Sequence, residues 1–312
     1  MKSNQNIKMK TRRDGFKRMD SSEIVFKIIS YFIVTIFALF CLYPLIYAIS
    51  ASLSSLEAVN GGYVVFLPVD AQFDAFKDVI LEKYFWISYS NTMFITFYGT
   101  LYCMALSILG AYSLSKVNLF GHKFFNFILI FTMWFSAGMI PIYLNYIQTR
   151  TILGNMGVSD QKWLVILAMG MAAFNIILLR NSFESVPKEI EEAAKVDGAN
   201  EFQIMSKVYV PMSKATLATV ALFYGVSRWN GYFWAMKTVE NIYDKPLQVV
   251  IQSEIASIQE QISEYGAQTV GAYASQSFAY AMIVCAIIPI LLIYPFIQKY
   301  FAVGVNIGGV KE

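Results

Sequence analysis

Charged residues are scarce in this sequence. Asp, Glu, Lys and Arg make up 14% of its 312 residues, whereas hydrophobic residues make up 57%. An ordinary soluble domain contains roughly 25% charged residues, and the mean hydropathy here is positive, at +0.51. The composition therefore predicts a membrane protein rather than a soluble enzyme or binding domain.

The sequence also lacks most groups that catalysis, metal binding or nucleotide binding requires. Its single histidine, His122, lies in a short predicted turn and is interpreted as a solvated loop residue. Cys41, Cys103 and Cys285 show neither CxxC nor Cys/His spacing, so neither a disulfide framework nor a metal site is indicated. No Gly-Lys dipeptide occurs, which excludes a phosphate-binding GxxxxGKS or GxxxxGKT loop. The chain is therefore predicted to be no enzyme and to hold no metal or cofactor of its own.

Long uncharged segments make up much of the sequence. A helix needs about 20 apolar residues to cross a hydrocarbon layer about 30 Å thick. Six windows of about this length occur, and only Arg228, in the fifth, interrupts them with a charge. The windows cover residues 28–50, 89–114, 124–148, 163–179, 215–236 and 265–298, and the last contains a spanning helix near 277–298. We predict an all-α membrane protein with six transmembrane helices.

None of these windows contains an aspartate, a glutamate or a histidine. Ion-coupled carriers use such groups inside the membrane as proton or ion relays, so a secondary transporter is not favoured. A membrane hydrolase or transferase needs a nucleophile with a base, or metal ligands, within reach of each other. The windows supply no histidine or carboxylate for that purpose, and a membrane enzyme is disfavoured as well.

Lysine and arginine are distributed unevenly among the connections, which predicts the orientation of the chain. Basic residues accumulate in cytoplasmic loops, and here they cluster before the first window and after the second, fourth and sixth. Both termini are therefore predicted to be cytoplasmic, with the more acidic connections on the outside. The predicted organisation is a basic cytoplasmic N-terminal tail over 1–27, a permease-like membrane domain over 28–298, and a cytoplasmic C-terminal tail over 299–312.

The connection over 180–214 has the pattern of two short helices on the cytoplasmic side. Gly198 permits the left-handed conformation that ends a first helix. Asn200 and Gln203 form a capping-box pattern for a second helix, which is predicted to end before Pro211. Such helices need a surface against which to bury their apolar side chains. A groove in a partner protein provides one, and the loop's own membrane domain is the alternative.

Within this connection, Glu192-Ala193-Ala194 is followed by Asp197-Gly198 and, nineteen residues after Glu192, by Pro211. This spacing resembles the EAA loop of permease subunits of ATP-binding-cassette importers. The resemblance implies the type I importer permease fold, also called MetI-like, and a pair of coupling helices that docks into a cleft of a separate ATPase. It assigns the coupling role to Glu192, Ala193, Ala194, Asp197, Gly198, Met205 and Pro211, with Met205 at the apolar, partner-facing position.

Weaker motifs resemble the carbohydrate-uptake class, and most of all its oligosaccharide and polysaccharide-fragment branch, related to maltose-type permeases. They are Phe135 to Tyr143, Trp229-Asn230-Gly231-Tyr232-Phe233, Lys245-Pro246-Leu247-Gln248, and 298–301 with 308–311. The resemblance implies import by alternating access at the bacterial cytoplasmic membrane. It also implies four kinds of partner: a second, different permease, two ATPase subunits that bind ATP and Mg²⁺, an extracytoplasmic solute-binding protein, and a sugar substrate. An importer of peptides or amino acids with the same coupling machinery is the alternative.

The end of the fifth window supplies groups suited to a sugar. Trp229, Asn230 and Tyr232 offer aromatic faces, an amide and a hydroxyl, and Asn91 and Asn145 are further candidates. The alternative is that Trp229 belongs to an interfacial aromatic belt and that Asn230 hydrogen-bonds another helix. The neighbouring arginine either turns inward or extends to the interface.

Overall fold

The computed structural model describes residues 21–265 and 276–307, and these residues contain helices and no strand. The α-helices are α1 (Ser21–Ser52), α2 (Leu56–Asn60), α3 (Asp74–Leu81), α4 (Lys83–Ser115), α5 (His122–Trp134), α6 (Met139–Asn155), α7 (Lys162–Ala168), α8 (Ala173–Glu184), α9 (Lys188–Val196), α10 (Glu201–Ile204), α11 (Val210–Met212), α12 (Lys214–Trp229), α13 (Phe233–Thr238), α14 (Leu247–Tyr265) and α15 (Gln276–Ile307). A π-helical turn, Met205–Tyr209, joins α10 to α11, and a 3-10 turn, Ile242–Asp244, precedes α14. The predicted all-α class is confirmed for this part of the chain.

Three helices are individually long and apolar enough to cross a membrane. They are Ser22–Ser52 in α1, all of α4, and Gln276–Pro295 in α15. Two further candidates are helix pairs joined at a bend: α5 with α6, bent by 111°, and α7 with α8, bent by 57°. Up to five of the six predicted spans therefore have a counterpart of sufficient length.

Glycines break the third and fourth predicted spans, which the apolar pattern presented as continuous. Gly138, between α5 and α6, has a φ of +86°, and Gly170, between α7 and α8, has a φ of +65°. Glycine adopts positive φ without the steric penalty that a Cβ brings. The chain therefore turns at these glycines. Pro141 lies in the first turn of α6, where its missing N–H breaks no intrahelical hydrogen bond.

The fifth predicted span is shorter than its sequence pattern. α12 has 16 residues and ends at Trp229, which gives a helix about 24 Å long against a hydrocarbon layer of about 30 Å. A Cβ at Gly231 would lie 3.1 Å from the backbone oxygen of Ser227, so the chain turns tightly where the pattern continued to residue 236. Six complete spans remain a prediction.

The chain divides into two compact units, Met1–Tyr47 and Ala48–Glu312. In the first, α1 begins at Ser21, so the end of the predicted N-terminal tail is helical, and residues 1–20 lie outside the described residues. In the second, α15 continues to Ile307 through the start of the predicted C-terminal tail. Residues 308–312, with the last of the carbohydrate-class motifs, lie outside the described residues.

Among the described residues, the largest apolar cluster joins the loop over 180–214 to α4, α8 and α12. Its buried members come from α4, α8, the connection between α8 and α9, the second half of the loop and α12: Cys103, Ala111, Tyr112, Ile176, Leu179, Phe183, Val186, Ile204, Met205, Tyr209, Val220 and Tyr224. Burial of this apolar surface contributes favourably to folding. The loop is therefore packed on the helix bundle rather than freely suspended from it.

Candidate coupling loop and membrane cavity

The loop over 180–214 forms the two helices that its pattern predicts. α9 is followed by Gly198, whose φ is +80°. At the start of α10, the Asn200 side chain accepts a hydrogen bond from the backbone N–H of Gln203 at 2.9 Å, and the Gln203 side chain accepts one from the backbone N–H of Asn200 at 3.0 Å. The left-handed turn and the capping box are both confirmed.

The second helix does not end before Pro211, and this corrects the prediction. The π-helical turn Met205–Tyr209 leads directly into α11, and the backbone N–H of Val210 donates to the carbonyl of Met205 five residues earlier. In a regular α-helix a proline ring clashes with the carbonyl four residues before it. The wider π-helical turn lets the helical path continue through Pro211.

A group of polar and aromatic side chains fastens α9 to the end of α4. The Glu191 carboxylate accepts hydrogen bonds from Lys116 Nζ at 2.8 Å, from Lys195 Nζ at 2.7 Å, and from the Tyr209 hydroxyl. Lys116 Nζ also lies 4.4 Å and 4.3 Å from the ring centroids of Tyr112 and Tyr209, within the range of a cation–π interaction. We call these five residues the anchor cluster.

The charge states of the anchor cluster keep it assembled at neutral pH. Burial by itself raises the pKa of Glu191, but the hydrogen bonds from Lys116, Lys195 and Tyr209 outweigh it and lower that pKa to about 2. Burial, together with the Glu191 carboxylate, raises the pKa of Tyr209. Glu191 is therefore an ionised acceptor and Tyr209 a protonated donor over the physiological range.

The loop presents an outward surface beside this anchor. Among the predicted coupling residues, those exposed are Glu192, Ala193, Asp197, Gly198 and Pro211, while Ala194 is half-buried. Two apolar side chains of the loop are exposed as well: Val196 is 88% exposed and Phe202 is 68% exposed. A surface that combines carboxylates with unburied apolar side chains is suited to docking against another protein.

Met205 does not face outward, and this corrects the expectation for that residue. Its side chain is 6% exposed and packs in the large apolar cluster with Ile204 and Tyr209. Residues on the inward side of α10 and the following π-helical turn are held by α4 and α8, so Met205 stabilises the loop from within. Phe202, three residues earlier, is the apolar side chain of α10 that is exposed.

The residues of the anchor cluster were not singled out from the sequence. The Glu191–Lys195 pair at i,i+4 spacing is a visible signal of a stabilised helix. The other partners, Lys116 and Tyr209, lie far from Glu191 along the chain, in a short connection and in the second loop helix. Only the packing of the loop against α4 brings them together.

Arg228 turns inward, which decides between the two orientations that the sequence left open. Its side chain is 3% exposed, and it donates to the backbone oxygens of Val165 at 3.1 Å and Gly170 at 3.0 Å and to Cys103 Sγ at 2.9 Å. A Cβ at Gly99 would lie 3.1 Å from Arg228 Cδ, so this glycine makes room for the side chain. Arg228 thus links α12 to the break between α7 and α8.

The three residues predicted to contact the substrate are placed differently from one another. Trp229 is 5% exposed and packs edge-on against Tyr89, with ring centroids 6.0 Å apart. Asn230 is exposed at the C-terminal end of α12, and Tyr232 is 38% exposed. The burial of Trp229 agrees with a packing role, whereas the other two side chains remain accessible.

The two further asparagine candidates also differ. Asn91 is buried, and its amide donates to the backbone oxygens of Tyr243 at 2.6 Å and Lys245 at 3.1 Å, so it holds the segment before α14. Asn145 lines a cavity of about 510 Å³ beside Trp234 and donates to the backbone oxygen of Ala168 at 3.3 Å. Within residues 21–265 and 276–307, no cluster of three His, Cys, Asp or Glu residues suits a metal ion.

Curated proteins similar to this chain include two from Bacillus subtilis (strain 168). The polygalacturonan/rhamnogalacturonan transport system permease protein YtcP is 36% identical over 92% of this chain and 98% of its own length. Protein LplC is 35% identical over 86% of this chain and 88% of its own length.

A solved structure has a fold similar to that of this chain. One chain of a bacterial ABC transporter involved in the import of the acidic polysaccharide alginate matches with a TM-score of 0.79 and 42% identity, over 91% of this chain and 99% of that chain. The family model for the binding-protein-dependent transport system inner membrane component matches residues 15–306. The chain therefore belongs to the family of inner membrane components of binding-protein-dependent transport systems.

Proposed function

We propose that this chain is one of two permease subunits of an ATP-driven importer that carries oligosaccharides across the bacterial cytoplasmic membrane. The observation that carries this proposal is the anchored two-helix loop, which holds Glu192 and Phe202 on an outward surface. The anchor cluster and the large apolar cluster connect this surface to α4, α8 and α12. A partner that moves the loop therefore moves membrane helices as well.

The mechanism follows from that connection. Two ATPase subunits, which bind ATP and Mg²⁺, draw the coupling loops of the two permeases together when they close. Because the loop leads directly into α12 and packs on α4 and α8, these helices shift as rigid bodies and open the pathway outward. ATP hydrolysis then returns the pathway to its inward-open state, and this chain itself carries out no covalent chemistry.

The remaining assignments rest on charge and on the relatives. The excess of basic residues in alternate connections supports cytoplasmic termini and a cytoplasmic loop. The second permease is a different polypeptide, and a solute-binding protein delivers substrate on the outside. The names of the relatives, a polygalacturonan/rhamnogalacturonan permease and an alginate importer, support a sugar over a peptide or amino acid. Asn230 and Tyr232 contribute to the pathway, with Trp229 packed behind them.

Uptake by cells tests the proposal directly. A strain from which this gene is deleted should lose import of labelled oligosaccharides and keep import of labelled peptides. The Glu192→Lys variant, which reverses a charge on the outward surface of the loop, should insert normally but fail to restore sugar import. Glu260→Lys, the same reversal in the predicted outer connection, is the matched control and should restore it. Loss of peptide import alone, or full activity of Glu192→Lys, would refute the proposal.

A further inference from the structure

A cavity of about 400 Å³ opens beside the break between α7 and α8. It is lined by Gly170 at the break, Asn175 in the first turn of α8, and Phe223, Ser227 and Arg228 from α12. Sites for small molecules are typically about 300–1,000 Å³. The cavity therefore has the size of a site for one unit of a larger ligand.

The wall of this cavity carries a positive charge that no carboxylate balances. Across residues 21–265 and 276–307, Arg228 takes part in no ion pair, and no acidic residue lines the cavity. Its three hydrogen bonds go to two backbone oxygens and a thiol, all neutral, and use three of the five N–H groups of a guanidinium. A buried charge without a counter-charge is costly, and an anion in the cavity would offset that cost.

Two further features of α8 suit an anion in this cavity. Asn175 is 3% exposed and lines the cavity, yet its side-chain amide has no hydrogen-bond partner in the described part of the chain. The backbone N–H groups of Ala173 and Phe174, in the first turn of this 12-residue helix, are likewise unused among the described residues. The N-terminus of a helix carries a partial positive charge and binds anions.

An aromatic pair completes the cavity. Phe174 and Phe223 both line it, and their ring centroids lie 6.3 Å apart. Apolar C–H faces of a sugar ring pack against such rings, while its hydroxyl groups need polar partners such as the amide of Asn175 and the hydroxyl of Ser227. Charge, amide and aromatic surface therefore meet in one place.

The geometry points to a subsite for the carboxylate-bearing unit of an acidic oligosaccharide. Arg228 and the N-terminus of α8 attract the carboxylate, Asn175 binds a hydroxyl, and the Phe174–Phe223 pair supports the ring. This inference rests on the proposed sugar import and deepens it by naming an oligouronate as the substrate class. The solved relative that is named for import of an acidic polysaccharide is consistent with it.

The test measures preference for acid over neutral sugar in cells that carry the whole importer. Labelled oligogalacturonates and alginate oligosaccharides are each compared with a carboxyl-reduced, neutral counterpart of the same length. The wild type should prefer the acidic member of each pair. Arg228→Gln should reduce that preference by about tenfold, the factor that corresponds to about 1.4 kcal/mol, while Arg228→Lys should retain most of it.

Two variants separate recognition from packing. Arg150→Gln, which removes an arginine paired with Glu240 outside this cavity, is the matched control and should leave the preference unchanged. Asn175→Leu, in which the new side chain has a similar volume, should lower uptake of the acidic sugars. If Arg228→Gln fails to assemble, this variant tests the subsite in its place. In the purified complete importer, an oligouronate should raise the thermal unfolding temperature of the wild type more than that of Asn175→Leu.

An unchanged preference in both Arg228→Gln and Asn175→Leu would overturn the inference. So would a wild type that takes up the neutral sugars as well as the acidic ones, although sugar import itself would then stand. A wild type that imports neither sugar series and instead imports peptides would refute the proposed function, and this subsite with it.

Discussion

The anchor cluster makes a quantitative prediction for Glu191→Gln. The substitution keeps the shape of the side chain and removes the charge that Lys116 and Lys195 share. Lys195 is half-exposed, and an exposed i,i+4 pair is worth about 0.3–0.5 kcal/mol. The bond from Lys116 to the mostly buried carboxylate is worth about 1.5–3 kcal/mol, as for hydrogen bonds to charged groups. We expect the docked loop to lose about 2 kcal/mol, which is about a 30-fold change in the docking equilibrium.

Hydrogen exchange in the purified importer measures this change. Backbone amides of α9 should exchange about 30-fold faster in Glu191→Gln, and sugar-stimulated ATPase activity should fall, because a loosely held loop transmits less motion to α12. Glu189→Gln is the matched control, since Glu189 is exposed on the same helix and takes part in no ion pair among the described residues. Equal exchange in the two variants would refute the anchoring role of Glu191.

The same cluster predicts the pH dependence of the loop. The pKa of Glu191 is lowered in the docked state from its ordinary 4.5 to about 2. A depressed pKa means that the stabilisation is complete above about pH 4.5 and is lost as the pH falls toward 2. After correction for intrinsic rates, exchange of α9 should therefore be flat between pH 5 and 8, and acid sensitivity should begin only below that range. An onset near neutral pH would contradict the assignment.

Three further predictions concern the turn, the orientation and the fifth span. Gly198→Val should lower sugar import while membrane insertion stays normal, because valine resists the φ of +80°; import at the wild-type level would contradict the role of this turn. In a background without the native cysteines, a cysteine introduced at Gln259 should react with an impermeant thiol reagent from outside, and a cysteine introduced at Val196 should react only from inside. Labelling of both positions from one side would refute the predicted orientation. Trp229→Ala should destabilise the importer by about 3–5 kcal/mol, as measured by thermal unfolding, because the side chain is buried. Trp229→Phe should destabilise the importer less than Trp229→Ala does, and equal stability of the two variants would refute a packing role.

Local pattern was sufficient for the features that depend on local chemistry. Apolar composition predicted the positions of α1, α4 and α15, which are each long and apolar enough to cross a membrane, since such a helix satisfies its backbone hydrogen bonds with its own residues. The left-handed turn at Gly198 and the capping box of Asn200 and Gln203 were predictable for the same reason. Each is completed by atoms within a few residues of the chain.

Tertiary structure alone decided the features that depend on partners far away in sequence. Phe202 and Met205 are similarly apolar and only three residues apart, yet the first is exposed and the second is buried against α4 and α8. The direction of Arg228 depends on a break between two other helices, and the anchoring of Glu191 depends on a lysine at the end of α4. Helix periodicity places side chains three or four residues apart near one another, but the packing of helices on one another determines which of those side chains is covered.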